Sequence, residues 1–386
     1  MTHTKMQLYQ SGLIKKDITM GFKCGIIGLP NVGKSTIFNA LTQSKNALAA
    51  NYPFATIEPN IGRVAVPDRR LDNLAALNES LSVIPTHIEF VDIAGLVKGA
   101  NEGEGLGNKF LGHIREVDAI AHVLRCFDDE NITHVNAKLD PINDLKIIES
   151  ELILSDLDIL LKQQELYTKK IKSTDKDIKI KLEIIDQLLM QIDASQQINI
   201  NEIDSNFINF VHELNLLSVK PTFYICNVDE NSVLKGNLYT NEITNILNTE
   251  SSKEMILVSA SIESEISNIE SVDEQNEFLD ALGLKNTSLD QVIKTGYNLL
   301  GLLTFFTAGK KETRAWTISQ NTNAAQAAGK IHTDFEKGFI RAETISYNDY
   351  IELGGEQLAK NAGKMRQEGR DYIVQEGDIF HFLFNN

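Results

Sequence analysis

The sequence lacks long apolar runs and has few cysteines, and both features narrow its class. Across the 386 residues, no stretch approaches the ~18 consecutive apolar residues of a membrane-spanning helix. The three cysteines, Cys24, Cys126 and Cys226, lie inside apolar runs and lack the spacing of metal ligands. We therefore expect a protein of the reducing cytosol without membrane contact, whose cysteines are small core residues rather than reactive thiols.

Positive charge is also scarce. Lys and Arg number 37 against 53 Asp and Glu, which gives a formal net charge of -16. Such a chain repels polyanions at long range, which argues against broad, non-specific binding to nucleic acid or anionic membranes. The stretch from Lys169 to Lys181 departs from this balance, with six lysines against two aspartates. It is a candidate contact for RNA phosphates, although a solvated helical face is the simpler interpretation.

A glycine motif near the start of the chain indicates phosphate binding. Residues 28–35 have the sequence GLPNVGKS, after the apolar run 22–27 and before a helix-like segment at 36–41. In the pattern G-x-x-x-x-G-K-[ST], the glycines let successive backbone amides point at a polyphosphate, and the following helix adds the positive end of its dipole. The alternative is a glycine turn that happens to precede Lys-Ser, and the flanking strand and helix argue against it.

Residues of this loop have separate expected roles. Lys34 is expected to reach the β- and γ-phosphates, and the hydroxyl of Ser35 to bind Mg²⁺. The remaining nucleotide-binding candidates in the loop are Asn31, Val32, Gly33 and Thr36. The motif therefore predicts both a phosphate site and a metal site at one strand end.

Thr56 is the first of two elements expected to respond to the γ-phosphate. It lies between Pro53 and Pro59, which exclude regular helix. A loop threonine about twenty residues past Lys34 can complete the Mg²⁺ shell when the γ-phosphate is present. A plain turn threonine explains the local sequence equally well.

The second element is the segment Asp92-Ile93-Ala94-Gly95, which follows the strand-like run from His87. An aspartate at a strand tip can hold Mg²⁺ through water, and the amide of Gly95 can meet the γ-phosphate. The stretch 96–113 that follows is rich in glycine, whose ordering entropy suits a segment that a ligand or partner fixes. A floppy surface loop is the alternative there.

Residues 227–230, with the sequence NVDE, bear on the choice of base. In GTPases with this loop the base is chosen by Asn-Lys-x-Asp, whose aspartate accepts two hydrogen bonds from guanine. Here Val228 replaces the lysine, and Glu230 is longer than the aspartate and should not fit the same geometry. We therefore favour ATP over GTP, while Asn227 can still bond the purine. A later strand ends in Ser259 and Ala260, which complete the nucleotide-binding candidates.

The middle of the chain changes character. Between Pro141 and Phe210 there is no glycine or proline, and apolar residues recur at helical spacing, which predicts two long helices in a hairpin. Strand-like runs resume afterwards, so the hairpin interrupts a nucleotide-binding domain. From residue 302 onward, alternating strands around a helix-like segment predict a small α+β module.

Together these motifs resemble those of the YchF/Obg-like ATPases, a branch of the P-loop GTPases that prefers ATP. The resemblance covers residues 20–386. It rests on GLPNVGKST at 28–36, PFATIEPN within 51–60, DIAGLVKGA at 92–100 and NVDE at 227–230. Jointly these motifs are highly specific.

The resemblance implies a fold of three parts. They are an α/β P-loop NTPase domain with a mostly parallel sheet flanked by helices at 20–138 and 214–301, a helical coiled-coil insertion at 139–213, and an α+β ubiquitin-like TGS domain at 302–386. Residues 1–19 depart from the family pattern, and we expect them to be a disordered extension outside the fold.

The resemblance also implies slow hydrolysis of ATP to ADP and phosphate and association with ribosomes. We expect the hydrolysis to depend on Mg²⁺ and the protein to be a monomer. RNA contact is expected through residues 169–181 and the TGS domain. A scaffold that senses nucleotide with negligible hydrolysis, and a true GTPase, are the competing hypotheses. Comparing the affinities for ATP and GTP separates the GTPase hypothesis from the leading interpretation.

The expected rate of hydrolysis depends on Leu96, where many GTPases carry a glutamine that orients the attacking water. Leucine forms no hydrogen bond, so turnover should be poor unless another group acts. His113 can swing toward the γ-phosphate, although a structural histidine is equally compatible. Asn31 can help to hold a stimulating K⁺ ion, as in related enzymes, although a loop-capping amide is the simpler role.

Overall fold

The computed structural model describes residues 22–43, 61–93, 106–129, 139–170, 176–195, 197–249 and 253–385. The predicted extension at 1–19 and the candidates Thr56, Gly95 and Leu96 lie outside these ranges. Among the described helices, none has the length and hydropathy needed to span a membrane.

The strands, in chain order, are β1 (Lys23–Ile27), β2 (Ile61–Ala65), β3 (Val83–Ile84), β4 (His87–Asp92), β5 (Ala119–Arg125), β6 (Thr222–Asn227), β7 (Met255–Val258), β8 (Leu302–Thr307), β9 (Thr313–Ser319), β10 (Phe339–Ser346), β11 (Arg366–Glu368) and β12 (Asp378–Phe384). The helices are α1 (Lys34–Gln43), α2 (Arg69–Asn78), α3 (Leu106–Glu116), α4 (Pro141–Lys170), α5 (Lys176–Ser195), α6 (Ile208–Glu213), α7 (Leu238–Thr249), α8 (Ala260–Asn268), α9 (Val272–Ala281), α10 (Ser288–Leu299), α11 (Ala324–Ile331), α12 (Thr333–Lys337), α13 (Tyr347–Leu353) and α14 (Glu356–Asn361).

The described residues fall into two compact units. The first comprises 22–63 and 89–296, and the second comprises 64–88 and 297–385. The resemblance implies that residues 20–138 are one part of the nucleotide-binding domain, and the contacts group 64–88 with residues 297–385. The physical reason is the apolar face of α2, described below.

In the first unit, strands of the described chain form a sheet in the order β2-β4-β1-β5-β6-β7. The pairs β4-β1, β1-β5, β5-β6 and β6-β7 are all parallel. Every residue of β5 is buried, as expected for a parallel sheet covered on both faces. The chain leaves β1 at Ile27, makes a tight loop and enters α1, whose buried Ile37, Ala40 and Leu41 recur at helical spacing. The predicted strand, loop and helix are therefore confirmed.

The helical hairpin of the first unit is formed by α4 and α5. Leu160, Ile185 and Leu188 are fully buried in a common apolar cluster, which confirms the predicted helical insertion. At the lysine-rich end, Lys169 pairs with Glu165 and Lys181 pairs with Asp177.

The second unit has a sheet whose described strands follow the order β11-β10-β12-β8-β9-β3. β8 and β9 are antiparallel, and the last strand, β12, lies parallel to β8 and antiparallel to β10. Buried alanines of α11, among them Ala324 and Ala328, pack against Phe305 on this sheet. This order around one packed helix is that of the ubiquitin-like fold expected for the C-terminal domain.

Helix α2 belongs to the second unit because its apolar face packs there. Leu71 and Leu74 are buried in one cluster with Phe306 and Tyr350. The guanidinium of Arg70 pairs with both Asp68 and Glu376 and lies over the ring of Phe306. The segment therefore has apolar and ionic partners near the end of the chain.

Candidate functional site

The phosphate loop between β1 and α1 is fixed by close backbone approaches. A Cβ atom on Gly28 would lie 2.5 Å from the carbonyl oxygen of Val123, and one on Gly33 would lie 2.3 Å from the amide nitrogen of Asn227. Gly33 has a φ of 98° and Asn31 one of 63°, both in the left-handed region. Only glycine fits at 28 and 33, so a side chain at either position would force the loop into another shape.

Lys34 lies at the start of α1 with its ammonium group inside the loop. Its Nζ atom donates a hydrogen bond to the carbonyl oxygen of Leu29 at 2.7 Å, and only 7% of the residue is exposed. Burial lowers the pKa of Lys34 to about 8, and the charge of Asp92 acts in the opposite direction. The loop itself thus holds the ammonium group in place.

Ser35 and Asp92 meet beside this lysine. The hydroxyl of Ser35 donates to Oδ2 of Asp92 at 3.1 Å. The other oxygen, Oδ1, is buried and has no hydrogen-bond partner among the described residues. An orphaned carboxylate oxygen next to a hydroxyl fits Mg²⁺, which takes oxygen ligands and uses few from the protein when phosphates are present. The described residues contain no cluster of three or more His, Cys, Asp or Glu side chains suited to a metal.

Asn227, at the end of β6, connects the phosphate loop to the strand end of β7. Its amide nitrogen donates to the carbonyl oxygen of Val32 at 3.0 Å, and its amide oxygen accepts from the backbone N–H of Ala260 at 3.1 Å. The residue is only 3% exposed. Asn227 therefore joins two binding loops, in addition to its predicted contact with the purine.

A pocket of about 730 Å³ opens where these loops meet, within the size range of nucleotide-binding clefts. The residues that line it are Asn31, Gly33, Lys34, Ser35, Thr36, Phe127, Asp128, Asp129, Asn227, Val228, Asp229, Glu230, Asn231, Ala260 and Ser261. The sequence-predicted candidates Val32, Asp92 and Ser259 are buried or half-buried beside it rather than lining it. His113 is exposed on α3 and is not among the lining residues.

The motif pattern did not single out the segment 127–129 as part of the site. The buried Arg125 holds it, because its guanidinium lies over the Phe127 ring and donates to the carbonyl oxygens of Phe127 and Asp129. The signal was present in the fold: β5 lies between β1 and β6, so its carboxyl end must face the same cleft.

These features define the class. A parallel sheet whose first strand leads through a glycine loop into a helix, with lysine, serine and a strand-end aspartate together, is a P-loop nucleoside triphosphatase fold. Residues 23–155 match the family model of the 50S ribosome-binding GTPase, and residues 302–385 match YchF-GTPase_C, described as a protein of unknown function.

The chain belongs to the YchF family. It is 51% identical over 366 residues to the ribosome-binding ATPase YchF of Escherichia coli O157:H7, covering 95% of this chain and 100% of that one. It is 49% identical over 368 residues to the protein of the same name in Bacillus subtilis strain 168, with the same coverage. The solved structure of the Schizosaccharomyces pombe YchF GTPase superposes with a TM-score of 0.85 at 39% identity, covering 94% of this chain and 98% of that one. The predicted family and fold class are thereby confirmed.

Proposed function

We propose that this chain is a ribosome-associated ATPase that hydrolyses ATP to ADP and phosphate and acts as a nucleotide switch. The observation that carries the proposal is the constellation of Lys34, Ser35 and Asp92 around one end of a nucleotide-sized pocket. The names of the E. coli and B. subtilis relatives support both the ATPase activity and the ribosome partner.

ATP rather than GTP is the proposed substrate, although the yeast structure is described as a GTPase. Guanine recognition needs a carboxylate with both oxygens available. Asp229 is engaged in capping the turn, because Oδ1 accepts from the backbone N–H of Asn231 and Oδ2 from the hydroxyl of Ser232. Glu230 stands at the position of the guanine-binding aspartate, and its side chain is longer than guanine recognition requires.

Mg²⁺ is the proposed cofactor. Ser35 and Asp92 are proposed to hold it, and Thr56 is proposed to complete its coordination shell. When bound, it neutralises charge that develops on the β- and γ-phosphate oxygens. Lys34 and the loop amides of Val32 and Gly33 bind and orient the same phosphates. The amide of Gly95 is proposed to bind the γ-phosphate.

Turnover is proposed to be slow because Leu96 offers no hydrogen bond to the attacking water. His113 is exposed on α3 and is not among the residues that line the pocket, so its proposed role requires it to swing toward the phosphates. Asn31 has a left-handed backbone at the pocket wall, and it is the proposed contact for a stimulating K⁺ ion.

RNA contact is proposed for the lysine-rich hairpin end and for the C-terminal domain of a monomeric protein. Lys169 and Lys181 both have carboxylate partners, which reduces the charge available at the hairpin. In the C-terminal domain the guanidinium of Arg314 lies 4.0 Å from the centre of the Trp316 ring. A cation and an aromatic face together suit a stacked base and its phosphate.

The proposed function is tested by calorimetry with ATP, ADP and GTP, and by phosphate release with Mg²⁺, K⁺ and ribosomes. We expect tighter binding of the adenine nucleotides, and slow release that ribosomes accelerate. Tighter binding of GTP would contradict the substrate, and no phosphate release under any of these conditions would contradict the enzyme.

Nucleotide binding is also expected to take up protons in alkaline solution. Burial lowers the pKa of Lys34 to about 8, and phosphate oxygens beside the ammonium are expected to raise it. ADP affinity therefore falls as the pH rises above that value, whereas near pH ~6 the amine is protonated in both states. Calorimetry at about pH 9 in two buffers of different ionisation enthalpy checks this, and equal heats in both would contradict it.

A further inference from the structure

Glu230 lines the pocket, where a neighbouring residue holds its backbone and another contacts its carboxylate. Its backbone begins a short 3₁₀ turn, Glu230–Ser232, which the side chain of Asp229 caps. Its Oε1 atom accepts a hydrogen bond from the hydroxyl of Ser261 at 3.3 Å. An exposed glutamate samples many rotamers, and the contact with Ser261 favours those that bring the carboxylate near this hydroxyl.

Ser261 is itself held by a buried neighbour. Ser259 occupies the N-cap position of α8, yet its hydroxyl makes no capping hydrogen bond. That hydroxyl lies 3.0 Å from the hydroxyl of Ser261, and Ser259 is fully buried. Because an ionised carboxylate only accepts, Ser261 donates to Glu230 and accepts from Ser259. The hydroxyl of Ser259 therefore contacts Ser261 instead of capping the helix, which indicates that Ser259 has a role other than helix capping.

We propose that Ser261 determines base specificity by acting through Glu230, whose carboxylate it directs toward the 6-amino group of adenine. The proposal rests on the proposed binding of adenine nucleotides. The 6-amino group donates hydrogen bonds, whereas guanine carries an accepting oxygen at that position, which a carboxylate repels. Ser261 is thus a positioning residue, and Glu230 makes the contact with the base.

The test compares ADP with purine riboside diphosphate, which carries hydrogen in place of the 6-amino group. The unsubstituted protein is expected to bind ADP on the order of 10-fold more tightly, the effect of one hydrogen bond to a charged group. Ser261→Ala is expected to reduce this preference to about 3-fold or less by weakening ADP alone. Ser261→Thr keeps the hydroxyl and should keep the preference.

Two further variants isolate the mechanism. Ser267→Ala removes another hydroxyl of α8, which donates to the carbonyl oxygen of Ser264 within the helix, and should change neither affinity. In a Glu230→Gln background, Ser261→Ala should cause no additional loss of preference, because both residues act through one contact.

The outcomes separate the inference from the proposed function. Parallel weakening of both diphosphates by Ser261→Ala would show a merely structural role and overturn the inference, as would an unchanged preference. Retention of ADP binding in either case would leave the proposed function standing. Failure of the unsubstituted protein to bind ADP would instead overturn the proposed function, and this inference with it.

Discussion

Replacing Lys34 with alanine is expected to lower the rate of ATP hydrolysis roughly 10²- to 10³-fold, the effect of removing one group that stabilises transition-state charge. The ammonium lies inside the phosphate loop, where it donates to the carbonyl oxygen of Leu29. No other lysine lines the pocket among the described residues. Phosphate release with saturating ATP and Mg²⁺ measures the loss, and calorimetry with ADP measures the accompanying loss of affinity.

The fold should survive this substitution. Burial penalises the charged amine, as the lowered pKa of Lys34 shows, so its removal costs little stability. Lys294→Ala removes an exposed lysine of α10 and is the matched control, with unchanged turnover and melting temperature expected. A Lys34→Ala protein that turns over ATP normally would contradict the site. A Lys34→Ala protein that binds no nucleotide, and yet binds ribosomes with its regulation fully retained, would favour the scaffold hypothesis.

Local patterns in the sequence predicted the parts of the fold that local physics decides. The phosphate loop, α1 and β4 follow from glycine chemistry and apolar periodicity over about ten residues each. The grouping of residues 64–88 did not follow, because it depends on partners far along the chain. Arg70 pairs with Glu376, which lies 306 positions later. No pattern within either segment predicts that the two segments will meet.

The site shows the same division. Lys34, Ser35 and Glu230 come together in or beside one pocket, as their motifs indicated. Phe127 was missed because it belongs to no motif. The order of the strands places it at the pocket. Asn227 was predicted as a base contact, and the structure adds a connection between loops that a single sequence position cannot reveal.

Asp156 provides the second prediction with a large effect, this time on stability. It lies on α4, fully buried, where Oδ1 accepts from the backbone N–H of Leu217 at 2.7 Å and Oδ2 from that of Ser218 at 2.8 Å. Burial raises the pKa of Asp156, and these two backbone donors and the charge of Arg115 oppose that rise. The carboxylate therefore accepts hydrogen bonds from two backbone N–H groups in the segment that leads from the helical insertion to β6.

Asp156→Ala is expected to lower the free energy of unfolding by about 3 kcal/mol, because it leaves two backbone N–H groups without an acceptor in a buried region. Urea unfolding followed by circular dichroism measures the change, and Asp158→Ala, at an exposed position of the same helix, should change it by less than about 0.5 kcal/mol. If the free energy of unfolding falls no further than in the control, water replaces the carboxylate as the acceptor for these two backbone N–H groups.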